Sequence, residues 1–309
     1  MPISPKDEQQ QHVVKPLPSA ADFHPEVLRL FDKYVHGLID RRGFLAGATR
    51  FAAAGVTAAG LLEALSPRFA HAQKVPKDDP RIRAETIEFE SPKGSGKASG
   101  YLVRPANASK LPGVLVIHEN RGLNPHIEDI ARRLALDNFV AFAPDALYTM
   151  GGYPGDEDKA RELFPKLDQS KIREDFIAAA NLLRTHAAVN GRIGAVGFCY
   201  GGGIASFLAT RLPELAAAVP YYGPAPAAEE VPKIKARMLI HYAGNDQRIN
   251  AGWPAYEEAL KKSGVKYEAF TYPDTEHGFN NDTTPRFDEA AAKQSWDRTI
   301  KLFNETLRS

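Results

Sequence analysis

The sequence predicts an α/β fold: a mainly parallel, doubly wound sheet with helices on both faces. Three observations lead there. From about Arg83, short strand-like runs alternate with helical stretches, the order that builds a layered α/β domain. Several runs are continuous and rich in Val and Ile, as expected of strands covered on both faces. The first two runs follow each other with no helix between them, which fits an antiparallel hairpin entering a sheet that is parallel thereafter.

In chain order, strands are expected over 85–90, 100–104, 113–118, 140–143, 193–197, 217–221, 238–242 and 267–272. Helices are expected over 127–137, 159–167, 171–186, 202–211, 254–263 and 288–307. No internal repeat is visible. The composition is that of a globular chain, with 43% apolar and 25% charged residues. The net charge of +1 provides no global field for nucleic acid or anionic lipid, and no nucleic-acid-binding motif is present. One cysteine, Cys199, excludes an intrachain disulfide, and one thiol cannot by itself build a cysteine-based metal site.

The first 80 residues read differently. Residues 1–22 are polar, with four prolines and a Gln run, and look disordered. Residues 24–40 have helical apolar spacing. Then come Asp40-Arg41-Arg42-Gly43-Phe44-Leu45, an Ala/Gly-rich stretch over 46–65, and Ala70-His71-Ala72. Paired arginines, a modestly apolar segment and a small-x-small site are the layout of a twin-arginine secretory signal. Arg50 and Glu63 interrupt the stretch, which makes it a poor membrane span. The expectation is an N-terminal extension and signal over 1–72, read by the twin-arginine export machinery and cleaved after Ala72. A periplasmic domain over 73–309 with no stable membrane span would follow. The alternative is an ordinary N-terminal helix pair.

Chemistry concentrates where the run 193–197 meets Gly197-Phe198-Cys199-Tyr200-Gly201-Gly202-Gly203. This is Gly-x-Cys-x-Gly at a strand-to-helix junction. A nucleophile there sits on a strained turn, and the residues two before and two after it must be small because strand and helix approach closely. The following helix N-terminus favours thiolate. The Tyr200 N–H is a candidate oxyanion donor. A phosphate-cradling loop would need Gly-Lys-Ser/Thr or Gly-x-Gly-x-x-Gly, and neither is present. Without this context a lone Cys is most simply a small buried hydrophobe.

The partners expected of such an elbow follow in the order acid, then histidine. Asp246 ends the run 238–242 in Gly244-Asn245-Asp246, and His277 lies on the loop after 267–272. Asp246 can orient a histidine, and His277 can serve as general base. Taken singly, these would be a turn Asp and a surface His. Glu119 and Asn120 follow the run 113–118; the Asn120 N–H is the second candidate oxyanion donor. Glu119 is a candidate to contact the resting thiol, or else simply pairs with Arg121 or caps a helix. No His-Glu-x-x-His or clustered His/Asp spacing supports a metal site.

These pieces resemble the dienelactone hydrolase family (carboxymethylenebutenolidases) of the α/β-hydrolase fold. The residues that carry the resemblance are Ile117-His118-Glu119-Asn120-Arg121-Gly122-Leu123, Ala143-Pro144-Asp145-Ala146-Leu147-Tyr148, Val196-Gly197-Phe198-Cys199-Tyr200-Gly201-Gly202 and Glu276-His277-Gly278-Phe279. The resemblance implies hydrolysis of a small ester or lactone through Cys199, His277 and Asp246, with Glu119 assisting activation and no cofactor. Arg121, Tyr148 and Asn281 are the candidate substrate contacts. The family's studied members hold a substrate carboxylate with arginines, one shortly after the histidine. Here Asn280 and Asn281 stand there, the nearest arginine is Arg286, and Arg161 and Arg173 lie in the region of the other. The alternatives are a non-catalytic hydrolase-fold protein that binds a ligand or partner, and a Cys199 redox sensor without a resolving cysteine.

Overall fold

Eight strands form one sheet in the spatial order β1-β2-β4-β3-β5-β6-β7-β8 in a computed structural model that describes residues 18–52, 56–107 and 109–308. The strands are β1 (Ile82–Ser91), β2 (Gly96–Pro105), β3 (Leu111–Ile117), β4 (Val140–Pro144), β5 (Val189–Phe198), β6 (Leu215–Tyr221), β7 (Arg237–Ala243) and β8 (Tyr267–Tyr272). All eight expected runs are strands. β1 and β2 form the expected hairpin, with Glu85 opposite Leu102. β2 also meets β4 antiparallel, and the other pairings are parallel.

Four helices precede the sheet: α1 (Pro25–Val35), α2 (Arg41–Ala48), α3 (Ala58–Leu65) and the single turn α4 (Phe69–Ala72). Seven follow: α5 (Pro125–Leu136), α6 (Glu157–Leu163), α7 (Gln169–Thr185), α8 (Tyr200–Arg211), α9 (Gln247–Asn250), α10 (Trp253–Lys262) and α11 (Glu289–Leu307). Their starts are set locally. Asn124, Asp156, Asp168 and Asp288 each accept a backbone N–H in the first turn of the helix that follows, which satisfies donors the helix itself cannot.

The parallel strands inside the edge strand β8 bury both faces. One face packs Leu115 and Ile240 against Phe176, Leu183, Leu208 and Leu260 of α7, α8 and α10. The other packs Val116, Val196 and Val219 against Ile127, Leu134, Leu302 and Phe303 of α5 and α11. No helix among the described residues is long and apolar enough to cross a membrane.

The N-terminal segment has a small core of its own. Val27, Leu28, Phe31 and Tyr34 of α1 meet Phe44 and Ala48 of α2 and Leu62 and Leu65 of α3. Local signals start these helices too: His24 with Pro25 for α1, Asp40 for α2 and Thr57 for α3. The helix pair named above as the alternative is therefore present in the folded chain. Residues 53–55 of the Ala/Gly-rich stretch lie outside the described residues, as does the polar leader through residue 17. Ala20–Asp22 form a turn of 3-10 helix.

Candidate active site

The chemistry-bearing residues all sit beyond the carboxyl ends of strands, where an open α/β sheet leaves its crevice. Cys199 follows β5, and its backbone has φ 55° and ψ −113°. That conformation is strained for a residue with a Cβ, at a cost of about 1–3 kcal/mol. Close packing holds it. A Cβ on Gly197 would lie 1.9 Å from the Gly201 carbonyl oxygen, and one on Gly201 would lie 2.3 Å from that of Ile117. The glycines at positions −2 and +2 are thus steric requirements of the elbow. The Cys199 N–H donates to Tyr221 O at 3.0 Å, and α8 starts at the next residue. The thiol therefore sits at the positive end of a helix.

Asp246 follows β7 and does two things. Its Oδ1 accepts from the Ile249 N–H at 3.2 Å, starting α9. Its Oδ2 lies 2.5 Å from His277 Nδ1. Both side chains are buried. The cap fixes the carboxylate, the carboxylate fixes the ring, and Nε2 is the nitrogen left to act. That atom is buried, and Cys199 is the group it faces.

The third group at the thiol comes from the N-terminal segment. His36, at the C-terminus of α1, places Nε2 3.6 Å from Cys199 Sγ. Its ring stands edge-on to that of His277 with centroids 4.7 Å apart. Ligating atoms of His36, Cys199 and His277 all lie within 4.8 Å of one another. Sequence spacing pointed to no metal site, and residues 163 positions apart offer no spacing to read.

The charges follow from this grouping. Burial alone would push the Cys199 thiol up, but the charges and hydrogen bonds of His277 and His36 outweigh it and hold it at about 6. Burial alone would push His277 down, but Cys199 and Asp246 carry it up to about 10. The two opposite shifts describe a thiolate beside an imidazolium. Burial also opposes the charge on Asp32, yet the hydrogen bond and charge of His36 keep that carboxyl far below the usual range.

A small cavity of about 40 Å³ adjoins Cys199 and His277, walled by Phe31, Tyr34 and Val35 on one side and Glu119, Asn120, Arg121, Asn281 and Arg286 on the other. It holds a water or two and no substrate. A wider cleft of about 390 Å³ is lined by Leu28, Asp32, Asp246, Arg248 and His277. The structure thus brings together Cys199, Asp246, His277, Glu119, Asn120, Arg121 and Asn281. The Glu119 carboxylate accepts from Asn281 Nδ2 at 3.0 Å, while the side chain from outside the triad at the sulfur is His36. Asn120 Nδ2 and Arg121 Nη2 each donate to Val35 O at 3.0 Å, so the cavity wall is tied to the cover. Tyr200 opens α8, and its hydroxyl donates to Gln169 at 2.8 Å.

Tyr148 is a correction. It sits on a 3-10 turn that sends its hydroxyl to Glu88 of β1 at 2.5 Å, and it does not line the cavity. Arg173 packs on Phe207, away from the site. Arg161 stacks on Tyr34. Arg286 does reach the cavity. It is buried, and its Nε and Nη1 have no hydrogen-bond partner among the described residues. Sequence reading missed His36 and the placement of Arg286. The available signal for His36 was the apolar face of the helix over 24–40, which needed something to cover.

A mostly parallel eight-stranded sheet, with a strained elbow after β5, an acid after β7 and a histidine after β8, defines an α/β-hydrolase. The chain belongs to the dienelactone hydrolase family, whose model matches residues 98–307. It is a hydrolase of the carboxymethylenebutenolidase-like kind. A second family model, described as YqhI-like, matches residues 15–54. Over 114 residues the chain is 53% identical to YghX of Escherichia coli K12, named a hydrolase fragment; the match spans 37% of this chain and 97% of that one. A Salmonella typhi protein bearing the name carboxymethylenebutenolidase is 33% identical over 219 residues, spanning 66% of this chain and 81% of that one. Among solved structures, one titled as a dienelactone hydrolase from Klebsiella pneumoniae is 28% identical with a TM-score of 0.64, covering 72% of this chain and 99% of its own.

Proposed function

We propose that the protein hydrolyses a small carboxylic ester or lactone through Cys199, His277 and Asp246. One observation carries this reading: the only cysteine of the chain occupies a strained strand-to-helix elbow beside a histidine whose far nitrogen is fixed by a buried aspartate. The Cys199 thiolate attacks the carbonyl carbon and the C=O electrons move to oxygen. The oxyanion lies against the N–H groups of Tyr200 and Asn120. The tetrahedral intermediate collapses to a thioester and expels the alcohol, which takes its proton from His277 Nε2. Water, deprotonated by His277, then attacks the thioester, and the acid leaves as the thiolate re-forms. Glu119, which accepts from Asn281 at the cavity, assists activation of Cys199 as substrate enters. Arg286, buried with two unpaired nitrogens at the cavity, supports a substrate that carries its own carboxylate.

The test is turnover of short activated esters and simple lactones by wild type and Cys199→Ala. Loss of the nucleophile removes the covalent route, so a fall of at least about 10³-fold is expected with unchanged folding by circular dichroism. Turnover retained in Cys199→Ala would remove Cys199 from the mechanism.

The proposal extends to location: the Asp40-Arg41-Arg42-Gly43-Phe44-Leu45 segment directs export to the periplasm, with cleavage after Ala72. Arg41 and Arg42 are exposed at the start of α2, with Arg41 paired to Asp158 and Arg42 open to a receptor. N-terminal sequencing of the exported protein should then read from Gln73; an intact N-terminus on protein found only in the cytoplasm would refute this.

A further inference from the structure

We propose that the full chain binds one Zn²⁺ between Cys199, His277 and His36, in a site that exists only while α1 covers the elbow. Three donors of the type zinc prefers, one thiolate and two imidazoles, already lie within 4.8 Å of one another. A tetrahedral ion with bonds of roughly 2.0–2.3 Å spans such a triangle after small side-chain shifts.

Two further observations point to a ligand here. His277 Nε2 is buried, faces Cys199 with no other partner among the described residues, and belongs to a side chain only 5% exposed. Both rings are also backed at the other nitrogen, as zinc-binding imidazoles characteristically are. His277 Nδ1 is held by Asp246 Oδ2. His36 Nδ1 lies 2.8 Å from the Asp32 carbonyl oxygen and 3.1 Å from its carboxylate. These contacts leave Nε2 as the ligating nitrogen of each ring, once His277 gives up its proton and His36 its contact with Arg248. The neighbouring cavity has room for a water as fourth ligand.

The nearby charges are mixed. Asp32, Asp246 and Glu119 favour a cation, whereas Arg121 and Arg286 at the cavity oppose it. Arg248 is the direct competitor, with Nη2 2.9 Å from His36 Nε2. It is exposed and can swing into solvent as the ion enters. Binding displaces the one proton held between Cys199 and His277, so it is accompanied by proton release. The bound ion takes both the thiolate and the His277 lone pair and silences them together.

The experiment is titration of metal-free full-length protein with Zn²⁺, alongside Co²⁺ as a spectroscopic probe. One equivalent is expected, with a thiolate-to-cobalt charge-transfer band. His36→Ala and His36→Gln should each weaken Zn²⁺ binding by about 100-fold, and Asp32→Asn by roughly 10–100-fold. Arg248→Ala should tighten it, a direction that mere loss of packing does not produce. Equal affinity in wild type and both His36 variants, absence of the cobalt–thiolate band, or weaker binding in Arg248→Ala would each overturn the proposal. The readout is binding, so it stands or falls separately from ester turnover.

Discussion

At the scale of single residues, the decisive feature is how Cys199 is kept charged while buried. Desolvation favours the neutral thiol, and two imidazoles with a helix N-terminus reverse that preference. The sign of the resulting pH dependence is fixed. The thiol's pKa in the folded protein, about 6, is below its ordinary value of 9.0. Thiolate is therefore present above about 6 and is lost as pH falls through that value. Because the chain has a single cysteine, the difference in ultraviolet absorbance between wild type and Cys199→Ala reports this thiolate free of the tyrosine background. Acidification of the native protein should remove the absorbance around pH 6. In denaturant the loss should move up toward pH 9. A native transition near 9 would show that His277 and His36 do not act on the sulfur. Asp246 shows the same economy: one carboxylate oxygen caps α9 while the other holds His277, so its apparently ordinary role as a turn residue is part of how it is aimed.

At the scale of elements, the sheet was legible because each strand carries its own signature. Short apolar runs bounded by turns can be read without knowing their neighbours, and β3 to β7 fall where that pattern places them. The elbow was legible for a steric reason: only glycine tolerates the approach of Gly197 to Gly201. Elements whose meaning depends on a distant partner were not legible. The segment over α2 and α3 has Ala, Gly and Leu in proportions that serve an export signal and a packed helical hairpin equally well. What makes it a hairpin in the folded chain is the apolar face of α1. Tyr148 failed similarly. Its place in the motif was readable, but the direction of its side chain was set by a 3-10 turn and by Glu88, 60 residues earlier. Arg286 was readable as an arginine after the histidine, whereas its entry into the cavity depends on the fold of the loop between β8 and α11.

At the scale of the whole molecule, a small helical unit sits over the elbow of a larger α/β domain, and the bonds on the two sides of Ala72 differ in character. Beyond it, the chain is sewn to α5: Val75 N–H donates to Asp129 Oδ1 at 2.9 Å, and Arg132 Nε donates to Val75 O at 2.8 Å. Before it, the cover has its own core and meets the domain through His36 at Cys199, through Arg161 and Arg286 stacked on Tyr34 and Phe31, and through polar contacts at its rim. These include the Val35 carbonyl with Asn120 and Arg121, Arg41 with Asp158, and Arg68 N–H with Thr283 O. A unit with a separate core and a polar seam can leave without dismantling the domain beneath it. Protein beginning at Gln73 should therefore fold, keep both faces of its sheet buried, and present Cys199 to solvent. In the full chain, iodoacetamide must wait for the cover to open. If the seam is worth at least about 1.4 kcal/mol, alkylation of Cys199 should be at least about tenfold slower there than in the shortened protein. Both forms are compared side by side at one pH above 7, where the thiolate fraction is high. Equal alkylation rates would mean that α1 does not shield the sulfur, and that the contact between His36 and Cys199 has no hold on access to the site.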